Sequence, residues 1–183
     1  MTNEQNPTKP QLLAALRSSG EEMARRLGVL PAEGFERGCY ENGWTARQVL
    51  AHVASIEWTY PRLLELAKQG APPAAAEPSP EIRRTEPGEA AGVPTRIAQG
   101  GIDSYNDRQV AKRADASVEE LLAEFQQNRQ ATIAAVEGAD EALLRAPIRS
   151  AGGITGALAS VIDAVAVRHV RGHVDDIVGA PPG

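Results

Sequence analysis

The stretch ITGALASVIDAVAVRHVRGHVDDIV, residues 154–178, decides how this chain is read. Ile154, Leu158, Val161, Ile162 and Val165 recur at three- and four-residue spacing, the period of one face of an α-helix. Four residues further along the same stripe stands His169, and four more reach His173. The chain has only three histidines in 183 residues, and this segment places two of them one turn apart on its apolar side.

Working outward, the same period recurs. A first helix is expected from Lys9 to Leu27, with Leu12, Leu13, Leu16, Met23 and Leu27 on its stripe, stopped by Gly28 and Pro31. A second opens at Thr45, a good N-cap, and carries Val49, His52, Val53, Ile56, Tyr60, Leu63 and Leu64 inward. Pro61 lacks the backbone donor and predicts a kink or a break; Gly70 and Pro72 end the helix. A short helix over Asp103–Lys112 precedes the third long one. That one starts at Ser117, with Glu120 three residues on as a capping box. It runs to Val136 with Val118, Leu121, Leu122, Phe125, Ile133 and Val136 inward, and Asp140–Arg145 adds one short turn. The fourth helix is expected over Ile154–Val178. No strand with sustained alternation and no repeat of fixed period is present.

Residues 71–95, APPAAAEPSPEIRRTEPGEAAGVPT, lack periodicity and are dense in Pro, Ala, Gly and Glu. So long a connection inside a compact domain is unusual and tends to be a crossover or functional. The expected fold is therefore all-α: one domain over residues 1–183, a four-helix bundle with a long crossover between helices 2 and 3, which need not be antiparallel neighbours.

Bulk composition agrees. A chain of this length buries roughly 70% of its unfolded surface. Hydrophobic residues are 42% and aromatics only 4%, a mix that favours close-packed helices over a β-sandwich. The net charge is −5 and the basic groups are short, such as Arg25-Arg26 and Arg83-Arg84, which argues against nucleic acid as a partner. Mean hydropathy is −0.30. No apolar run of membrane-spanning length and no signal-like leader are seen, so the expected location is cytoplasmic. The single Cys39 cannot form an internal disulfide and fits a reducing compartment.

Two imidazoles at i and i+4 share one helix face and can hold one metal ion. A pair alone is a weak signal, since buried histidines more often serve packing. Here all three histidines, His52 with His169 and His173, fall on inward positions, and bundle cores are a usual place for metal sites. The residue after His169 is Val170 rather than Glu, so the built-in base of the HExxH metalloproteases is missing. Three imidazoles with open positions describe a catalytic type of site, and imidazole suits zinc, nickel, copper and iron alike. Asp176, three after His173, is a candidate general base or a partner for an imidazole N–H, unless it is simply solvated near the helix end. Glu57, expected toward solvent, and Asn106 are weaker candidates. Gly172 is expected to leave room beside the metal or to admit a close backbone. Trp44 is expected at the bundle mouth, Trp58 at a core edge or interface, and Arg168 and Arg171 facing water. Cys39 is not assigned as a ligand.

GWTARQVLAHVASIEW, residues 43–58, followed far downstream by RHVRGHVDDI, residues 168–177, resembles the DinB-like superfamily of four-helix bundles. That group includes the mycothiol-dependent maleylpyruvate isomerases and bacillithiol transferases. The matching pattern is the Trp44-Thr45 helix start, His52 seven residues after that threonine, and the HxxxH of the last helix. The segment around YNDRQVAKR, residues 105–113, also looks like a subgroup with an Asn before helix 3, as in colibactin self-resistance proteins. The resemblance implies a long crossover, a divalent metal (zinc, nickel or iron) on His52, His169 and His173, and a homodimer. It implies an enzyme acting on a small-molecule substrate, either a thiol-dependent transferase or isomerase using a low-molecular-weight thiol, or a hydrolase. Two further readings stay open: a non-catalytic stress or self-resistance protein that binds a small molecule or metal, with residues 71–95 as a lid, and a purely structural interaction module.

Overall fold

A computed structural model of the chain describes residues 6–38, 40, 43–70, 83–84 and 101–179. The first long helix, α1, spans Lys9–Leu27 and is closed at its start by a capping box between Thr8 and Gln11. A one-turn 3-10 helix, Ala32–Glu36, follows. Next comes α2, Ala46–Glu57, with Thr45 as N-cap and a second capping box through Gln48. The expected break is real: α2 stops at Glu57, and α3 starts afresh at Tyr60–Gly70. Pro61 has no N–H to offer the Glu57 carbonyl, so the ladder cannot continue through it.

The short helix α4, Ile102–Ala111, leads to α5, Val118–Glu137, which has the capping box expected at Ser117 and Glu120. A five-residue α6, Glu141–Arg145, is capped by Asp140. The last bundle helix is composite. It consists of α7, Leu158–Ile162, a π-helical segment, Asp163–Arg168, and α8, His169–Gly179. α1, α2 with α3, α5, and α7 with α8 form the bundle. The result is the all-α four-helix bundle that the periodicity predicts.

Two features differ from expectation. Three short strands occur: β1, Arg83–Arg84, β2, Pro147–Arg149, and β3, Ile154–Ala157, in the order β1-β3-β2, both pairings antiparallel. They are too short for alternation to be seen in sequence. Ile154-Thr155 is β-branched and follows Gly153, whose φ of 85° closes the turn from β2. The last helix therefore begins at Leu158, not at Ile154. β1 lies inside the long connection and pairs Arg83 with Thr155 and Arg84 with Ile154; the rest of residues 71–95 falls outside the described residues, as does Cys39.

The second difference is the π segment. Its widened turn, in which the His169 N–H donates to the Ala164 carbonyl, inserts one residue into the helix. Upstream, the core face runs through Leu158, Val161 and Ile162; downstream it runs through Ala166, Val170, Val174 and Ile177, all buried. The core stripe has slipped by one position from the Val165–His169–His173 line read from the sequence. The two histidines are left on the flank of the core rather than along its centre.

The core forms two clusters, one around Leu12, Leu16, Leu63 and Leu158, the other around Met23, Leu50, Phe125 and Val174. An ion pair lies within the helical core. Arg129 of α5 is 3% exposed and Glu57 of α2 is fully buried. The solvent-facing placement expected for Glu57 is wrong: its carboxylate takes Arg129 Nε and Nη2 at 2.7 and 2.9 Å. Arg129 Nη1 donates to the Leu16 carbonyl at 2.8 Å and to Ser19 Oγ at 2.7 Å, and Nη2 also donates to the Ala166 carbonyl at 2.6 Å. All five guanidinium donors are satisfied. Removing one partner strands a charge in the core. Glu57→Ala is therefore expected to lower the unfolding free energy by about 3–5 kcal/mol. The urea midpoint measures this, and an unchanged midpoint would contradict the assignment.

Candidate metal centre

His52 sits on the buried face of α2, and α8 begins with His169 and carries His173 one turn later. The helices bring the three imidazoles together: one nitrogen from each lies within 4.8 Å of the others. His169 Nε2 and His173 Nε2 are 3.0 Å apart. Two ligands of one ion at about 2.0–2.1 Å from it stand about 3 Å from each other, so this spacing suits a shared cation. The rings of His169 and His173 both meet His52 nearly edge-on, at centroid distances of 5.5 and 5.2 Å.

The electrostatics favour neutral His52 and His173, the form a metal requires. Burial first, then the neighbouring His169 and His173, push His52 down to about 3. Burial also lowers His173, with the Asp176 carboxylate opposing it. Asp176 Oδ2 lies 3.0 Å from His173 Nδ1. A carboxylate there accepts the Nδ1 proton and leaves the Nε2 lone pair facing His169. His52 Nδ1 is buried and has no hydrogen-bond partner among the described residues.

The histidines line a cavity of about 630 Å³, within the usual size of a small-molecule site. Ile56, Leu63, Ile154 and Val165 give it apolar wall, and Tyr40, Trp44 and Tyr60 give it aromatic wall. Trp44 stands 5.4 Å from His52 and Tyr40 stands 5.2 Å from His173, ring centre to ring centre. The α4 side adds Asp103, Tyr105, Asn106 and Asp107, and the β2–β3 turn adds Ser150 to Gly152. Asn106 Oδ1 and Tyr105 Oη are both buried without a hydrogen-bond partner among the described residues.

Of the residues singled out from sequence, His52, His169, His173, Trp44 and Asn106 meet at this cavity. Asp176 reaches the outer nitrogen of His173 and is not among the cavity-lining residues. Gly172 does not make room for a metal: it is exposed, and a Cβ built on it meets nothing within 4 Å. Trp58 is 39% exposed at the end of α2. Arg168 and Arg171 are half-exposed and pair with Asp163 and Glu22 at 3.1 and 3.2 Å. Sequence reasoning missed Tyr60 as a cavity wall, and it missed Tyr105. It also missed Arg129, although that residue falls four after Phe125 and four before Ile133 on an otherwise apolar stripe.

These features define a DinB-like four-helix bundle with a three-histidine cluster. The family model for the mycothiol maleylpyruvate isomerase N-terminal domain matches residues 16–167, and the chain belongs to that family. The match contains His52 and ends just before His169. Among solved structures, the mycothiol-dependent maleylpyruvate isomerase superposes with a TM-score of 0.68 at 18% identity, covering 97% of this chain and 63% of that one. A histidine-to-alanine mutant of the same isomerase gives 0.66 at 17%, covering 99% and 65%. This chain thus spans under two thirds of the length of the isomerase. YfiT from Bacillus subtilis, described as a probable metal-dependent hydrolase with an unusual four-helix bundle topology, gives 0.59 at 14%, covering 94% and 85%. No curated protein matches. No helix among the described residues is long and apolar enough to cross a membrane.

The depressed His52 value has a consequence for the metal-free protein. Unfolded, His52 takes up a proton near pH 6.5; folded, only near about pH 3. Across that window the unfolded chain holds the extra proton, so the contribution is fully present above about 6.5 and is lost as pH falls toward about 3. The urea midpoint of the apo protein should fall over that range, and His52→Gln should flatten the fall. Identical pH profiles for the two proteins would contradict the burial of a neutral His52.

Proposed function

We propose that this protein is a metal-dependent enzyme acting on a small molecule, with His52, His169 and His173 as the metal ligands. The observation that carries the reading is the convergence of three imidazoles, one nitrogen of each within 4.8 Å of the others, on the wall of a 630 Å³ cavity. Three imidazole nitrogens suit zinc, nickel or iron and leave positions open for a further ligand. When bound, such an ion holds a thiol sulfur as thiolate or acidifies a water.

The chain's own residues supply the rest. Burial keeps His52 and His173 unprotonated, and Asp176 fixes the orientation of the His173 ring. The apolar and aromatic wall takes the body of the substrate and excludes water from it. Asn106 and Tyr105 offer it hydrogen bonds through groups that are buried without a partner among the described residues.

Between the thiol-dependent and hydrolytic versions, the position of Asp176 supports the first. Hydrolysis calls for a carboxylate base beside the attacking water; Asp176 is engaged on the far side of His173, and the cavity's own carboxylates, Asp103 and Asp107, come from α4 rather than from the histidine-bearing helices. A thiolate needs no such base. Mycothiol, named in the matching family and in the similar isomerase, is the first thiol to test. A homodimer completes the proposal, to be read from sedimentation velocity.

In cobalt-loaded protein, adding mycothiol should produce a sulfur-to-cobalt charge-transfer band, and the His52/His169/His173 triple alanine variant should show none. A loaded parent protein without that band contradicts the thiol reading. Asp176→Asn should weaken metal binding about 10–100-fold, measured by competition with a chelator. Unchanged affinity would remove Asp176 from the site.

A further inference from the structure

The π segment at Asp163–Arg168 directly precedes His169, and side chains from two other helices hold it. The Tyr60 hydroxyl of α3 donates to the Val165 carbonyl at 2.6 Å. Arg129 Nη2 of α5 donates to the next carbonyl, Ala166, also at 2.6 Å. Both side chains are nearly fully buried, Tyr60 at 4% and Arg129 at 3% exposure. A regular α-helix satisfies its inner carbonyls through its own N–H groups. A widened turn opens them to outside donors, and here two consecutive carbonyls are taken up by donors from two different helices.

The inserted residue sets the rotation of α8, the helix that bears two of the histidines. Each residue turns an α-helix by about 100°. Without the insertion, every residue downstream would shift by one place on the helix surface. His169 would move into the core position now held by Val170, which is fully buried beside Val174. Arg168 and Gly172 would occupy the places of His169 and His173 facing His52. The convergence of the three imidazoles therefore depends on the turn staying wide.

We propose that Tyr60 and Arg129 are positioning residues that hold the π segment open and thereby set the register of His169 and His173 against His52. The proposal rests on the metal reading for its consequence, but not for its structural content. Glu57 belongs to the same device, since it neutralises Arg129 and orients its guanidinium through two hydrogen bonds. Tyr60 lines the cavity as well, so the same side chain forms the substrate wall and braces the ligand helix.

Tyr60→Phe tests this with the least disturbance, because it removes the hydroxyl and keeps the ring. Two measurements are made on parent and variant, with circular dichroism and thermal unfolding confirming that both are folded. The first is cobalt titration followed by its visible absorption bands. The variant should bind cobalt about tenfold more weakly, the equilibrium equivalent of one hydrogen bond, and its band shape should change. A purely structural hydroxyl would lower the melting temperature and leave the band shape unmoved. The second is histidine-ring NMR of the metal-free protein, where the contacts of His52 with His169 and His173 should weaken in the variant. Parent-like cobalt bands together with parent-like ring contacts overturn the proposal. A parent that takes up no cobalt, with ring contacts still lost in the variant, overturns the metal reading and leaves the positioning role standing. Arg129→Lys, if folded, should change the same ring contacts.

Discussion

The guanidinium of Arg129 ties the bundle together. Its five donors reach a carbonyl and a hydroxyl on α1, the Glu57 carboxylate on α2, and a carbonyl in the π segment of the last helix. Four helices thus converge on one side chain, and each contact needs the others. Arg129 tolerates burial because Glu57 is beside it. Burial in turn pushes the Glu57 carboxyl up, and the Arg129 cation against it opposes that. Such a pair adds little net stability over well-packed apolar residues, but it penalises any arrangement of the four helices that separates its members. Its value here is geometric: it fixes where α2 and the last helix stand, and those are the helices that bear the histidines.

The site grows out of that constraint. α2 presents His52 five residues before Glu57, the carboxylate of the ion pair, and α8 presents His169 three residues after the carbonyl that Arg129 holds. Burial pushes His52 and His173 down, while Asp176 orients the His173 ring without lining the cavity. The broken second helix adds the aromatic wall, because the interruption at Pro61 lets Tyr60 begin a new helix and turn its hydroxyl toward the last one.

Much of this is legible in the sequence. The stripes of α1, α2 and α5 show in the spacing of their leucines and valines, and Thr45 and Ser117 announce their helix starts because capping needs a side-chain oxygen at that point. The histidines stand out because so few are present and all lie on apolar stripes. The hidden features depend on tertiary contacts. Nothing in DAVAVR signals a π turn, since the turn is held by Tyr60 and Arg129 from distant parts of the chain. The strand at Ile154–Ala157 reads as helical because its apolar residues happen to fit both periods. Glu57 reads as solvent-facing because its partner lies 72 residues away.

The chain has the family and the architecture of the mycothiol maleylpyruvate isomerase N-terminal domain, and the proposed chemistry rests on the histidine cluster. Everything proposed for the site requires that the three imidazoles hold a metal. Elemental analysis of protein purified without a polyhistidine tag, beside the His52/His169/His173 triple alanine variant, tests it most directly. The account predicts about one zinc, nickel or iron per chain in the parent and none in the variant. Equal metal content in the two proteins, or none in either after reconstitution with each ion, would contradict it.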